Sequence, residues 1–238
     1  RWEFFNIYQI AGYCIQKFCP LFPETVDVVP DANIMIVGVG RMGKTLISRS
    51  ARKWKDLYGK SGKKITFSVL DYDANTQIRL LRLQYPSITN YCEFKCVNMD
   101  LTSPDFIEGK YLNDLQTEKK ISKIYICIDD SSVALSTALT LHRQFHSQDV
   151  CIIVRAIDII GFATIFSALK ATCKGLSNIF TFPIVSCDCC RDFIVMENRD
   201  ILGKVIHANY IAQKKKSGAD PKKDPAMKSW DELSENQS

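Results

Sequence analysis

The sequence predicts an α/β fold, a doubly wound parallel sheet covered by helices, with a small, mostly helical domain after it. Between Asn33 and Pro183, short apolar runs alternate with helical patterns, the rhythm of βαβ units. Those runs are continuously apolar, as strands buried on both faces must be. The first run also ends in Gly38, Gly40 and Gly43, with a helical pattern starting at once. Residues 1–30 are expected to form an amphipathic helix and connector, 31–185 the sheet domain, and 186–238 the helical domain.

In chain order, Phe4, Phe5, Ile7, Ile10, Ala11, Cys14, Ile15 and Phe18 share one face of a helix; Asn6, Gln9, Tyr13 and Gln16 occupy the other. A spanning helix needs about 20 mostly apolar residues, so this segment packs on the domain or lies at a membrane surface. Pro20, Pro23 and Pro30 mark an extended connector. Strands are expected at Ile34–Val37, Ile65–Leu70, Glu93–Val97, Ile124–Ile128, Val150–Val154 and Ile179–Phe182. Helices are expected from about Arg41 to Tyr58, at 75–83, from Ser103-Pro104, where proline suits a first turn, and at 133–145 with Ser131 or Ser132 as cap. Beyond Pro183 a helix spans about 200–216. A Lys-, Gly-, Asp- and Pro-rich loop and Trp230-Asp231-Glu232-Leu233 follow.

Apolar content of 46% and charged content of 24% over 238 residues allow a sizeable core. Much of the net charge of +5 sits in Lys214–Lys216, Lys222 and Lys223. These read as a solvated loop without the aromatic interleaving of a nucleic-acid surface. Ten cysteines are present without a secretory signal; Cys96, Cys127 and Cys151 lie in strand-like runs as small core hydrophobes. A reducing, cytosolic setting follows. No repeat of 20–50 residues is evident.

Two motifs overlap at the glycines. Gly38-x-Gly40-x-x-Gly43 is a dinucleotide fingerprint, and Gly38-x-x-x-x-Gly43-Lys44-Thr45 fits a P-loop, with Asp129 as its magnesium-holding aspartate. Asp71, directly after the second strand, discriminates: it is placed to accept from ribose hydroxyls and disfavours a 2′-phosphate. Its spacing from the glycines is long because the first helix and its Gly-Lys turn are long. The sheet domain is therefore read as Rossmann-like, its ligand at the carboxyl ends of the strands, where Gly38, Asp71, Asp100, Asp129 and Arg155 gather.

Five blocks in order, Ile-Val-Gly-Val-Gly-Arg-Met-Gly-Lys-Thr, Val-Leu-Asp71-Tyr-Asp73, Val-Asn-Met-Asp100-Leu-Thr, Ile-Cys-Ile-Asp129-Asp130-Ser131 and Ile-Ile-Val-Arg155-Ala, resemble the Trk/RCK-type (TrkA-N) nucleotide-binding domain. The resemblance implies that Gly38, Gly40, Arg41 and Gly43 cradle phosphates, that Asp71 holds ribose and that Asp100 lies near the base. Met42, Asp73 and Asp129 complete the candidate contact set. It implies NAD or NADH as ligand, with ADP or ATP as alternatives. The long first helix, Lys44-Thr45 and the lack of a usual second ligand-binding lobe depart from the family pattern. Ile206-His207-Ala208-Asn209-Tyr210, a polar loop and Asp224 to Leu233 resemble part of a ryanodine-receptor-type (RyR) domain. Together these imply a homodimeric cytosolic module regulating a potassium or other ion channel or transporter. Because the chain starts at Arg1, it is read as a piece of a longer protein with a membrane channel segment upstream.

Other residues carry structural expectations. Arg155 is expected to pair with Asp129 or Asp130. Cys187, Cys189 and Cys190 lack the second ligand pair that zinc needs. His142 and His146 share a helix face, and His207 packs the small domain. No nucleophile-base-acid set is visible, and a dehydrogenase would lack a substrate domain.

Overall fold

The computed structural model describes residues 7–23, 29–115, 120–145, 150–156 and 178–183, with positions 176 and 211. The chain divides into two compact units, Arg1–Ser186 and Cys187–Ser238. The helix read at 200–216, apart from position 211, and the Trp230 segment, the Cys187 cluster, His146 and His207 lie outside the described residues.

The first unit is a six-stranded parallel sheet in the order β3-β2-β1-β4-β5-β6. The strands are β1 (Asn33–Val37), β2 (Ile65–Asp71), β3 (Cys92–Asn98), β4 (Lys123–Ile126), β5 (Cys151–Ala156) and β6 (Ile179–Pro183). Between them run α2 (Arg41–Tyr58), α3 (Ala74–Gln84), α4 (Ile88–Tyr91), α5 (Pro104–Glu108), α6 (Tyr111–Asp114) and α7 (Ser131–Gln144), with α1 (Ile7–Phe18) ahead of them all. The strand order reverses between β1 and β4, the switch point at which doubly wound sheets bind ligands.

Successive strand residues point to opposite faces, so the apolar runs feed two cores. On one face Ile34, Ile36, Phe67, Val69, Tyr125 and Ile153 pack with Leu46, Ile47 and Trp54 of α2 and Ile78 of α3. On the other, Met35, Leu70, Ile124 and Val154 meet Phe106, Tyr111 and the Ala138 and Leu141 stripe of α7. Trp54 sits edge-on to Phe22 and Tyr58, with ring centroids 5.1 and 4.8 Å away.

The first helix fills a gap in this wrapping. Ala11 and Ile15 of α1 join the core with Tyr125, Cys127 and Ile153. The Tyr125 hydroxyl donates to Cys19 O at 2.7 Å, and the Lys123 ammonium donates to Pro20 O. The expected polar stripe is not simply solvated. Gln9 and Gln16 each accept from the Arg49 guanidinium on α2, at 3.3 Å. Among the described residues no helix is long and apolar enough to cross a membrane.

Two local expectations are corrected. The fourth strand closes at Ile126, not Ile128, because its neighbour β1 turns away at Gly38, where φ is +87°. The cap of α7 is Asp130, not Ser131 or Ser132: its carboxylate accepts from Ser132 N and Val133 N at 2.8 and 2.9 Å. Ser103 caps α5 as its Ser-Pro start suggests, accepting from Phe106 N.

Candidate functional site

The turn from β1 into α2 builds the site, and its glycines do different work. Gly38 takes a positive φ that side chains rarely adopt, and a Cβ there would press on the Cys127 backbone at 3.3 Å. A Cβ on Gly43 would lie 2.2 Å from Gly38 O, so only glycine lets α2 pack this close to the strand end. At Gly40 a Cβ would meet nothing within 4 Å. No neighbour demands glycine there, and the bare backbone leaves open space that suits the close approach of a pyrophosphate.

Gly40 is the N-cap of α2, and the first α2 hydrogen bond from this turn is Lys44 N to Gly40 O at 3.1 Å. The N–H groups of the preceding turn have no helical acceptor, and the helix dipole adds a partial positive charge. That combination attracts an anion.

Asp71 ties the loop to the next strand. The register pairs Val37 with Leu70, and Gly38 N donates to Leu70 O at 2.8 Å. One residue further, Val39 N donates to Asp71 Oδ2 at 2.6 Å. Asp73 N donates to Asp71 Oδ1 at 3.0 Å. Each carboxylate oxygen therefore takes one backbone donor and keeps a lone pair for a ligand hydroxyl. Asp73 stands at the N-cap position of α3 without a side-chain cap bond.

The other candidates divide. Arg41 is exposed at the loop, with its guanidinium 6.0 Å from the Tyr8 ring centroid. The Met42 side chain is 1% exposed within the core, so its first-turn N–H is the group that faces the loop. Asp100 lies two residues beyond the end of β3 and is exposed and engaged with its own turn, accepting from Thr102 N and Oγ1 at 2.8 and 2.7 Å. Those hydrogen bonds, the backbone one foremost, hold its carboxyl below the usual value.

Arg155 pairs with Asp129, one of the two carboxylates expected for it. The pairing is lopsided: the Arg155 side chain is 4% exposed and that of Asp129 77%. Arg155 Nε has no hydrogen-bond partner, and its guanidinium lies 5.5 Å from the Tyr8 ring centroid. Against the back of the glycine loop, the Cys127 thiol is pushed up to about 12 by burial, against the opposing pull of Arg155. It is a protonated core group rather than a nucleophile.

Tyr8 is the residue that sequence reasoning missed. It sits within cation–π reach of both Arg41 and Arg155. Nothing in its local pattern marks it, because both arginines come from distant segments. The P-loop pair fits less well. Thr45 is 8% exposed and its hydroxyl donates to Arg41 O at 2.8 Å, inside the helix. Among the described residues no cluster of His, Cys, Asp or Glu is suited to a metal.

The strand order, the switch point and the three-glycine turn define the class: a Rossmann-like doubly wound α/β domain. No protein-family model and no curated protein sequence matches this chain.

Proposed function

We propose that the first unit is a Trk/RCK-type regulatory module that binds NAD(H) or an adenine nucleotide and controls a potassium or other ion channel or transporter. The carrying observation is the open backbone at Gly40, set between Gly38 at positive φ and a tightly packed Gly43, in a loop tied to Asp71. In this reading the first-turn N–H groups of α2 hold the pyrophosphate and Arg41 adds a positive charge beside it. Asp71 accepts from the ribose hydroxyls through its remaining lone pairs. Asp73, Asp100 and Asp129 line the same sheet edge, with Asp100 and Asp129 already engaged by Thr102 and Arg155.

Regulation would be a population shift rather than catalysis. Arg41 drawn towards phosphate changes its contact with Tyr8, and so the seating of α1 on β4 and β5. A cation–π contact of this exposed kind is worth about 0.5–1 kcal/mol, enough to bias a balanced equilibrium but not to drive it alone. The channel segment, the homodimer and the RyR-like role of 186–238 rest on the sequence resemblance. The P-loop alternative receives less support, since Thr45 spends its hydroxyl proton on Arg41 O.

A thermal-shift panel with NAD, NADH, ADP and ATP tests the reading. Stabilisation by at least one of them in the parent chain, lost in Asp71→Ala, is expected. No shift with any nucleotide would sink it. Magnesium-dependent hydrolysis abolished by Lys44→Ala would favour the P-loop instead.

A further inference from the structure

The strand β3 stands at one end of the sheet, and its sequence is complementary to itself. Among the described residues it pairs with no strand but β2. Met99 N donates to Asp71 O, so the odd-numbered backbone groups of this stretch turn towards β2. Those of Phe94 and Cys96 therefore turn outwards, as on any edge strand. Cys92 N also turns outwards but donates to Ile88 O, where α4 ends.

The side chains of β3 sort onto two faces. Cys92, Phe94 and Cys96 pack with the core under α3, where Phe94 stacks on Phe67 at 5.7 Å beside the Arg82 guanidinium. Burial pushes the Cys92 thiol up to about 12 and raises that of Cys96. Both stay protonated and behave as small hydrophobes. Glu93 and Lys95 lie on the opposite face and are exposed. Neither forms an ion pair, and Glu93 accepts only from Thr66 Oγ1 at 3.4 Å.

A lysine on an edge strand ordinarily discourages pairing with other chains. With an exposed glutamate two positions away, it selects one partner instead. An isologous contact sets residue i against residue j and j against i. Consider two β3 strands running antiparallel with Phe94 on the two-fold axis. Phe94 then meets its own copy, Glu93 stands opposite Lys95 of the second copy, and Cys92 stands opposite its Cys96. Each opposite pair shares a face, as the pleat requires. Moving the axis by one residue sets Glu93 against Glu93 or Lys95 against Lys95, and like charges directly opposite destabilise a pair. Moving it by two leaves both charges facing uncharged residues. The Phe94 register alone pairs both charges, and it brings the outward backbone groups of Phe94 together.

We propose that β3 is a self-recognition edge: two copies of this chain join through it, antiparallel and centred on Phe94, into one continuous sheet. The contact is independent of what the glycine loop binds.

The test is sedimentation equilibrium of the full chain beside Lys95→Glu, Glu93→Lys and the exchange Glu93→Lys/Lys95→Glu. The parent is expected to dimerise. Each single variant sets like charges opposite each other at both ends of the pairing, and should dimerise about tenfold more weakly, or worse. The exchange variant should dimerise as the parent does. Mixing the two single variants should give a mixed dimer, because one brings two lysines to the edge and the other two glutamates. A monomeric parent, a dimer unchanged in the single variants, or an exchange variant as weak as the singles overturns the proposal. Circular dichroism checks the fold of each variant. Should a charge-reversed variant not fold, Lys95→Gln and Glu93→Gln take its place, each expected to weaken the dimer; an unchanged dimer again overturns the proposal. Thermal stabilisation by NAD, read on Lys95→Glu in parallel, reports on the glycine loop alone, so the failure of one reading is distinguishable from that of the other.

Discussion

Asp71 closes its strand and Asp100 lies two residues past the end of the next one, where Asn98 is the register partner of Asp71, and their surroundings make them different residues. Asp71 is half-buried and receives Val39 N from 32 positions earlier and Asp73 N from its own turn. Asp100 is exposed and receives both its bonds from Thr102, two positions away. The first carboxylate joins the glycine loop to the turn after its own strand, while the second closes a local turn. A strand-end aspartate is thus a site residue only to the extent that the chain around it converges there.

The largest effect expected at the anchored end belongs to Gly43→Ala. With its Cβ forced to within 2.2 Å of Gly38 O, the variant should lose about 3 kcal/mol through overpacking, read from the urea midpoint. Gly40→Ala is the matching control: stability within about 0.5 kcal/mol of the parent, but weaker nucleotide binding. If both alanines cost the same stability, the division of labour among the glycines is wrong.

Next comes Asp71→Ala, which strips acceptors from Val39 N and Asp73 N. A loss of about 1–3 kcal/mol is expected, with faster amide exchange at Val39. Asp100→Ala should leave the urea midpoint nearly unchanged. Comparable losses in the two variants would erase the contrast between the two strand ends.

The smallest effect is electrostatic. The Asp100 carboxyl should titrate below its ordinary 3.8, and Thr102→Val should raise it only part of the way back, since the larger cause is the backbone bond. A carboxyl depressed on folding adds stability above its unfolded value and forfeits it as pH falls through the folded one. The increment from Asp100 therefore disappears only in acid below about pH 4. Carbonyl-carbon NMR of the parent and Thr102→Val measures it; an unshifted Asp100 would refute the turn's role.

Much of the first unit could be read before any coordinates. The helix expected from Arg41 to Tyr58 has those bounds in the structure, and Gly38, Gly40 and Gly43 stand at its start. Each strand run falls on an observed strand, because continuous apolar runs between helical patterns have few other uses in a parallel sheet. The errors arose where local pattern leaves choices open. Asp130, Ser131 and Ser132 are all good caps, and the apolar run of the fourth strand carries no mark of where its neighbour turns away. Tyr8 had no signal to find, since its partners are far away in sequence.

The residues by themselves determined the fold class, the element order and the glycine turn, all of which depend on periodicity and backbone freedom within a few positions. Only the tertiary structure decided what Asp71 bonds, where α1 packs and which cations share a surface. The reason is register. Pairing Val37 with Leu70 carries Val39 N onto the Asp71 carboxylate. Packing α1 over β4 and β5 brings Tyr8 to Arg41 and Arg155. Such meetings depend on how distant segments align, which no short window of sequence contains.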